Sequence, residues 1–211
     1  MLISLILMGG VVKSQILITL LFGEALNTPK IEFGLVGGVN RSYFLDVEGS
    51  KGLSNFNLGF YFHINLKNKS YLSTGVLVKS DMGATGMKTY ALGDNAFDSI
   101  YQNGTLTKKI GYFYVPIMYQ YRLHPRWYVE GGFQLGLKHS AKDVFKEDIL
   151  GGDLEFTRSV KDEYLYLDAG LVGGLGFKLN SNPKSAAIGV NYYYGLVNVS
   201  NTGNTLKNSA I

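Results

Sequence analysis

No cysteine occurs among the 211 residues. That excludes a disulfide scaffold and any thiolate-ligated metal centre. Proline is scarce at 4 residues and tryptophan at 1. Charge is scarce as well: Asp, Glu, Lys and Arg make up 17%, against roughly 25% in an average soluble domain. Hydrophobic residues reach 46%, so the chain is not intrinsically disordered, a state that needs the opposite balance. The net charge is only +4 and the basic residues are scattered, so nucleic acid is not an expected partner. The length fits one domain, or at most two small ones. What is abundant is glycine, at 27 residues, and tyrosine, at 15.

The apolar run Met1–Val12 is too short for a membrane-spanning helix, which needs about 20 residues. It has the length of a signal-peptide core, and Val12-Lys13-Ser14 suits a cut before Gln15. Residues 1–14 are therefore expected to be a signal peptide, with a truncated start because no basic region precedes the core. The alternative is a hydrophobic N-terminal helix packed on the domain. Residues 15–29 form a separate segment. Ile16, Leu17, Leu20 and Leu21 share a helical face, yet Ile16, Ile18 and Thr19 also suit a strand.

From Lys30 to the end, residues 30–211, the apolar period is two. In Asn55–Leu66, Phe56, Leu58, Phe60, Phe62, Ile64 and Leu66 fall on one face, with Asn57, Gly59, Tyr61, His63 and Asn65 on the other. The same alternation marks about 31–44, 70–80, 110–123, 127–139, 164–179 and 186–198. These seven strands are longer than the usual 5–6 residues. Asn68–Ser70, His124–Arg126 and Asn180–Ser185 read as short turns. Stretches 46–53, 81–109, 140–163 and 199–208 read as long loops. Short turns at one end and long loops at the other predict an all-β, antiparallel, up-and-down transmembrane β-barrel of the eight-stranded type.

Side-chain volume orients the faces. Bulky residues such as Phe56, Phe113, Ile117, Trp127, Phe133 and Leu167 share one face, while Gly34, Gly136, Gly170 and Gly176 lie on the other. An eight-stranded barrel encloses only enough room for its own side chains. The bulky face should therefore point outward, into lipid. In water it would be a far larger apolar patch than soluble monomers tolerate. The polar face supplies a lumenal network expected to include Arg122, Glu130, Gln120, His63, Asp168 and Lys178. A turn at His124–Arg126 puts Arg122 opposite Tyr128 and diagonal to Glu130, so an Arg122–Glu130 ion pair is expected. The tyrosine clusters, including Tyr112-Phe113-Tyr114, Tyr119-x-Tyr121, Trp127-Tyr128 and Tyr192-Tyr193-Tyr194, are expected mainly in interfacial girdles, with Tyr193 as a core-type exception.

These segments resemble the PorT-like family of small bacterial outer-membrane β-barrel proteins. The resemblance is carried by Ile31–Asn40, Phe113-Tyr-Val-Pro-Ile117, Tyr128-Val-Glu-Gly-Gly-Phe-Gln-Leu-Gly136 and Tyr192-Tyr-Tyr-Gly-Leu-Val-Asn198. It implies a signal peptide, a Gram-negative outer-membrane location and an eight-stranded barrel, and it implies no enzyme. The founding member's link to assembly of a secretion machinery does not transfer to every relative.

An eighth strand should descend from about Asn208, yet the sequence stops at Ile211. The closing strand is therefore expected to be missing, or supplied otherwise. The chain would then be a fragment or a truncated product, or Ile16–Phe22 would close the barrel. Residues 15–29 are expected instead as a short helix or plug at the barrel mouth. No cofactor, metal or catalytic residue is expected. His63, His124 and His139 lack ligand spacing, no GxSxG, HExxH or P-loop occurs, and Gly170–Gly176 lacks the GxGxxG order. Asp81, Asp94 and Asp98 read as a solvated loop rather than a calcium site. The expected function is a structural or binding role through loops 81–109 and 140–163, without catalysis. Outer-membrane lipid and other envelope or secretion proteins are the expected partners. The alternatives are a narrow channel or a secretion-associated component, and a soluble lipocalin-like carrier with the apolar face inward.

Overall fold

The computed structural model describes residues 26–45, 47–149, 152–182, 185–203 and 205–211. The expected signal peptide at 1–14, and residues 15–25 of the segment 15–29 expected as a helix, plug or strand, lie outside the described residues. Among those described, nine strands follow one another: β1 (Ile31–Leu45), β2 (Lys51–Lys67), β3 (Ser70–Lys88), β4 (Thr105–Arg122), β5 (Trp127–Ile149), β6 (Gly152–Ser159), β7 (Leu167–Lys178), β8 (Ala187–Gly195) and β9 (Lys207–Ala210). A short α-helix, α1 (Asn95–Tyr101), and a 3-10 turn (Lys161–Glu163) interrupt them. Asp94 caps α1 by accepting from the Ala96 and Phe97 N–H groups.

Every ladder is antiparallel, and the order β1-β2-β3-β4-β5-β7-β8-β9 returns to β1. That ring is an eight-stranded barrel. β6 stands apart and, among the described residues, pairs only with the outer half of β5, from Lys142↔Ser159 to Ile149↔Gly152. Arg122 pairs with Tyr128 across the β4–β5 turn, the register that the short turn requires.

Three expectations need correction. The closing strand is present: β9 lies between β1 and β8, with Ser209 opposite both Tyr43 and Tyr194. Its sequence, Lys207-Asn208-Ser209-Ala210, carries no apolar signal: Asn208 faces the polar lumen, and Ser209, on the other face, hydrogen-bonds the exposed Tyr192 at 3.0 Å. It is short, and among the described residues no ladder joins Ile31–Asn40 of β1 to Ala187–Tyr192 of β8. Part of that β1 edge is capped by a side chain: Asn27 accepts from the Phe33 N–H (3.0 Å) and donates to its carbonyl (3.3 Å).

The expected loop 140–163 is mostly strand, and the expected loop 81–109 is strand at both ends, leaving 89–104 as the connection. β3 and β4 run on to Lys88 and from Thr105, and β5 continues for 23 residues into the hairpin with β6. Charged residues replace large apolar ones on the outer face there, which hides the alternation. The inner face keeps apolar residues on either side of the buried Lys108–Asp143 pair, and Tyr101, Leu106 and Phe145 form a small buried core with Met87, Tyr90, Leu92 and Phe156 packed around it.

Around the ring, the bulky face points outward. Phe133 is 60% exposed and Ile188 68%, with Phe56, Phe113, Ile117, Trp127 and Leu167 exposed beside them. Inside, tyrosines fill the space that glycines leave. A Cβ on Gly136 would sit 2.4 Å from the Tyr114 ring, and one on Gly176 2.2 Å from the Tyr128 ring. This corrects the girdle assignment of Tyr112, Tyr114 and Tyr128. Tyr112 and Tyr114 are fully buried in the lumen. Tyrosine suits both places, since its ring needs apolar contact and its hydroxyl a partner.

Candidate functional site: the polar layers of the lumen

Three polar layers stack along the barrel. The first, near the short turns, centres on Glu32 of β1. Both carboxylate oxygens accept from Arg122 Nη2 of β4, at 2.9 and 2.8 Å. Arg122 Nη1 also donates to the Tyr71 hydroxyl at 2.8 Å. Lys178 Nζ and His63 Nδ1 each lie 3.6 Å from Glu32 Oε2. His63 stacks on Tyr61, with centroids 4.4 Å apart. One carboxylate therefore gathers three basic side chains from three other strands. The cavity left among Glu32, Tyr61, His63, Gln120, Arg122, Tyr128 and Lys178 is about 10 Å³, no more than one water requires.

Arg122 thus takes Glu32 as its partner, not Glu130. Glu130 instead accepts from Gln120 Nε2 (3.2 Å) and Asn191 Nδ2 (3.0 Å). The hairpin register does place Glu130 near Arg122. Closing the ring, however, brings Glu32, 90 residues away in sequence, onto the same lumenal level. A long guanidinium reaches across a narrow barrel more easily than it folds back along its own hairpin.

The second layer centres on Asp168 of β7. Its carboxylate accepts from the Tyr114 hydroxyl (2.5 Å), the Tyr193 hydroxyl (2.9 Å) and Asn208 Nδ2 (2.7 Å). These three neutral donors come from β4, β8 and β9. Asp168 therefore ties the short closing strand to the opposite wall.

The third layer lies at the open end of the long hairpins. The Asp143 side chain is fully buried, and its Oδ2 accepts from Lys108 Nζ (2.8 Å) and the Tyr90 hydroxyl (2.9 Å). Burial, and then the Asp143 charge, push the Tyr90 hydroxyl well above its usual pKa. Lys138 Nζ donates to the carbonyls of Lys161 and Tyr164. Lys109 meets Asp81 at 3.0 Å, and Lys146 meets Glu155 at 2.9 Å.

The six side chains expected from sequence are thus divided between levels. Arg122, His63 and Lys178 meet at Glu32, Gln120 and Glu130 sit beside them, and Asp168 belongs to the second layer. Sequence reasoning missed Glu32 as the hub, and missed Tyr71, Tyr114, Tyr193 and Asn208 as partners. The face assignment of Glu32 and Asn208 was the available signal, but pairing needs the closed ring. Among the described residues, no group of three or more His, Cys, Asp or Glu could hold a metal ion.

A family model described as "Outer membrane protein beta-barrel domain" matches residues 26–201. No curated protein sequence matches the chain. Two solved structures of Ail, the attachment invasion locus protein of Yersinia pestis, are similar at 13% identity, covering 87% of this chain and 94% of that one. Their TM-scores are 0.44 and, for the complex with the heparin analogue sucrose octasulfate, 0.45.

Proposed function

The chain belongs to the outer membrane protein beta-barrel domain family, and from that premise we propose that it is a sealed barrel acting through its extracellular hairpins. It resides in the bacterial outer membrane. In this reading the short turns face the periplasm and the long β3–β4 and β5–β6 hairpins face outside. Export of a Gram-negative precursor by residues 1–14 belongs to the same proposal. The PorT-like resemblance supports this fold and names no partner.

The observation that carries the proposal is the filled lumen. Tyr114 and Tyr128 occupy the space over Gly136 and Gly176, and about 10 Å³ remains around Glu32. Such an interior supports neither a pore nor a substrate cleft. The hairpins, by contrast, carry their own core and a mixed-charge surface on a rigid base, the usual setting for a binding role. The purified full chain in planar bilayers is expected to give no sustained single-channel conductance. Robust ohmic conductance would overturn the sealed-barrel reading in favour of a channel.

A further inference from the structure

The short-turn rim has a charge pattern unlike the rest of the molecule. Lys30 precedes β1, Lys67 and Lys69 flank Asn68 in the β2–β3 turn, and Arg126 lies in the β4–β5 turn. Backbone bonds join these turns into one arc. The Asn65 N–H donates to the Lys30 carbonyl (2.7 Å), Arg122 N–H to that of Lys69 (2.9 Å), and Lys178 N–H to that of Arg126 (2.7 Å). Turns 66–70 and 122–127 contain no carboxylate. Among the described residues, the acids at this end are Glu32 and Glu130, and both are engaged in the lumen.

An apolar collar runs beside the cations. Leu66 is 55% exposed, Leu123 57% and Trp127 49%, with Tyr121 and Leu179 exposed at the same level. Lys67, Asn68, Lys69, Ser70 and Tyr121 line a shallow, open hollow of about 470 Å³. The Arg126 guanidinium sits over Phe177, 4.3 Å from the ring centroid. Cationic heads set just outside a ring of Leu, Tyr and Trp match the depth profile of a lipid leaflet, with phosphates outside and acyl chains within.

We propose that this rim is a binding surface for anionic phospholipid headgroups of the periplasmic leaflet, with the Lys67–Tyr121 hollow seating a phosphate. The proposal rests on the membrane orientation given above, but not on the role of the hairpins. Each lysine near an anionic lipid surface contributes to affinity, and salt screens that contribution.

The test uses the full chain folded in zwitterionic detergent, probed with phosphatidylglycerol, phosphatidylcholine and soluble glycerophosphoglycerol. Phosphatidylglycerol is expected to bind best. Lys67→Gln with Lys69→Gln should weaken it, about fivefold per lysine. Lys67→Arg with Lys69→Arg should retain binding, and Lys142→Gln on the outer hairpin should leave it unchanged. A heat-modifiable band confirms that each variant is folded. Equal binding of phosphatidylcholine, or no loss in a folded double glutamine variant, overturns the proposal. Equal binding of soluble glycerophosphoglycerol also overturns it, because the apolar collar would then have no part. If periplasmic orientation alone were wrong, phosphatidylglycerol binding would survive while protease protection of the turns in whole cells was lost.

Discussion

At the outer end of the barrel, Lys108 faces Asp143, Lys109 faces Asp81 and Lys146 faces Glu155, each within about 3 Å. At the short-turn end, one carboxylate, Glu32, serves Arg122, Lys178 and His63, and the exposed Lys67 and Lys69 meet no acid in their own turns. The difference follows from what surrounds each end. On the outer hairpins Lys146–Glu155, and Lys109 of its pair with Asp81, reach water, where ion pairs contribute little apiece, while Lys108–Asp143 lies buried within the hairpin core. The lumenal hub is enclosed, so its charges must be neutralised by one another. The rim borders a headgroup layer that can itself supply the anions.

The largest expected effect comes from breaking the hub. Glu32→Gln leaves Arg122 and Lys178 enclosed without their shared anion. Removing one partner from a buried pair costs about 3–5 kcal/mol. Urea unfolding in lipid vesicles, followed by the fluorescence of Trp127, should show that loss. A cost below about 1 kcal/mol would place the hub in the same class as the outer pairs and erase the contrast.

An intermediate effect is expected at Asp143, which is buried like the hub but built from one cation and one hydroxyl. Asp143→Asn keeps an acceptor for Tyr90 and removes the charge facing Lys108. Hydrogen bonds to charged groups contribute about 1.5–3 kcal/mol. The loss should stay local to the hairpins, so protease cutting at residues 89–104 should speed up while the barrel's unfolding midpoint barely moves. A global loss equal to that of Glu32→Gln would show that the outer core and the barrel unfold as one unit.

Much of this arrangement was legible in the chain because a barrel strand alternates between two solvents. Phe133 and Gln134 are adjacent residues with opposite surroundings, and a period of two reveals that without any knowledge of partners. The register Arg122↔Tyr128 was legible because a short turn fixes it. The Arg122–Glu32 pair was not, since it depends on which strands face each other across the closed ring. β9 was hidden because a lumen that accepts Asn208 beside Asp168 imposes no apolar signature. The outer halves of β3, β4 and β5 were hidden because, once past the lipid, the outward face no longer has to be apolar. Tyr114 was misplaced because an interfacial and a lumenal tyrosine look alike until the glycine beneath the ring is known.

The smallest effect is expected at the Lys146–Glu155 pair. Both side chains are about half exposed, 54% and 49%. The pair's attraction is therefore screened by water and salt, and holding two long side chains in one geometry costs entropy. Glu155→Gln should change stability by no more than about 0–1 kcal/mol. Raising salt should shrink even that difference, because exposed charges are screened over about 8–10 Å at ordinary ionic strength. The measurement is a pair of urea titrations of each protein, at low and at high salt. A loss comparable to that of Glu32→Gln, insensitive to salt, would mean that the outer hairpins exclude water as thoroughly as the lumen does. The contrast between the two ends would then have to be drawn from their geometry and not from their exposure.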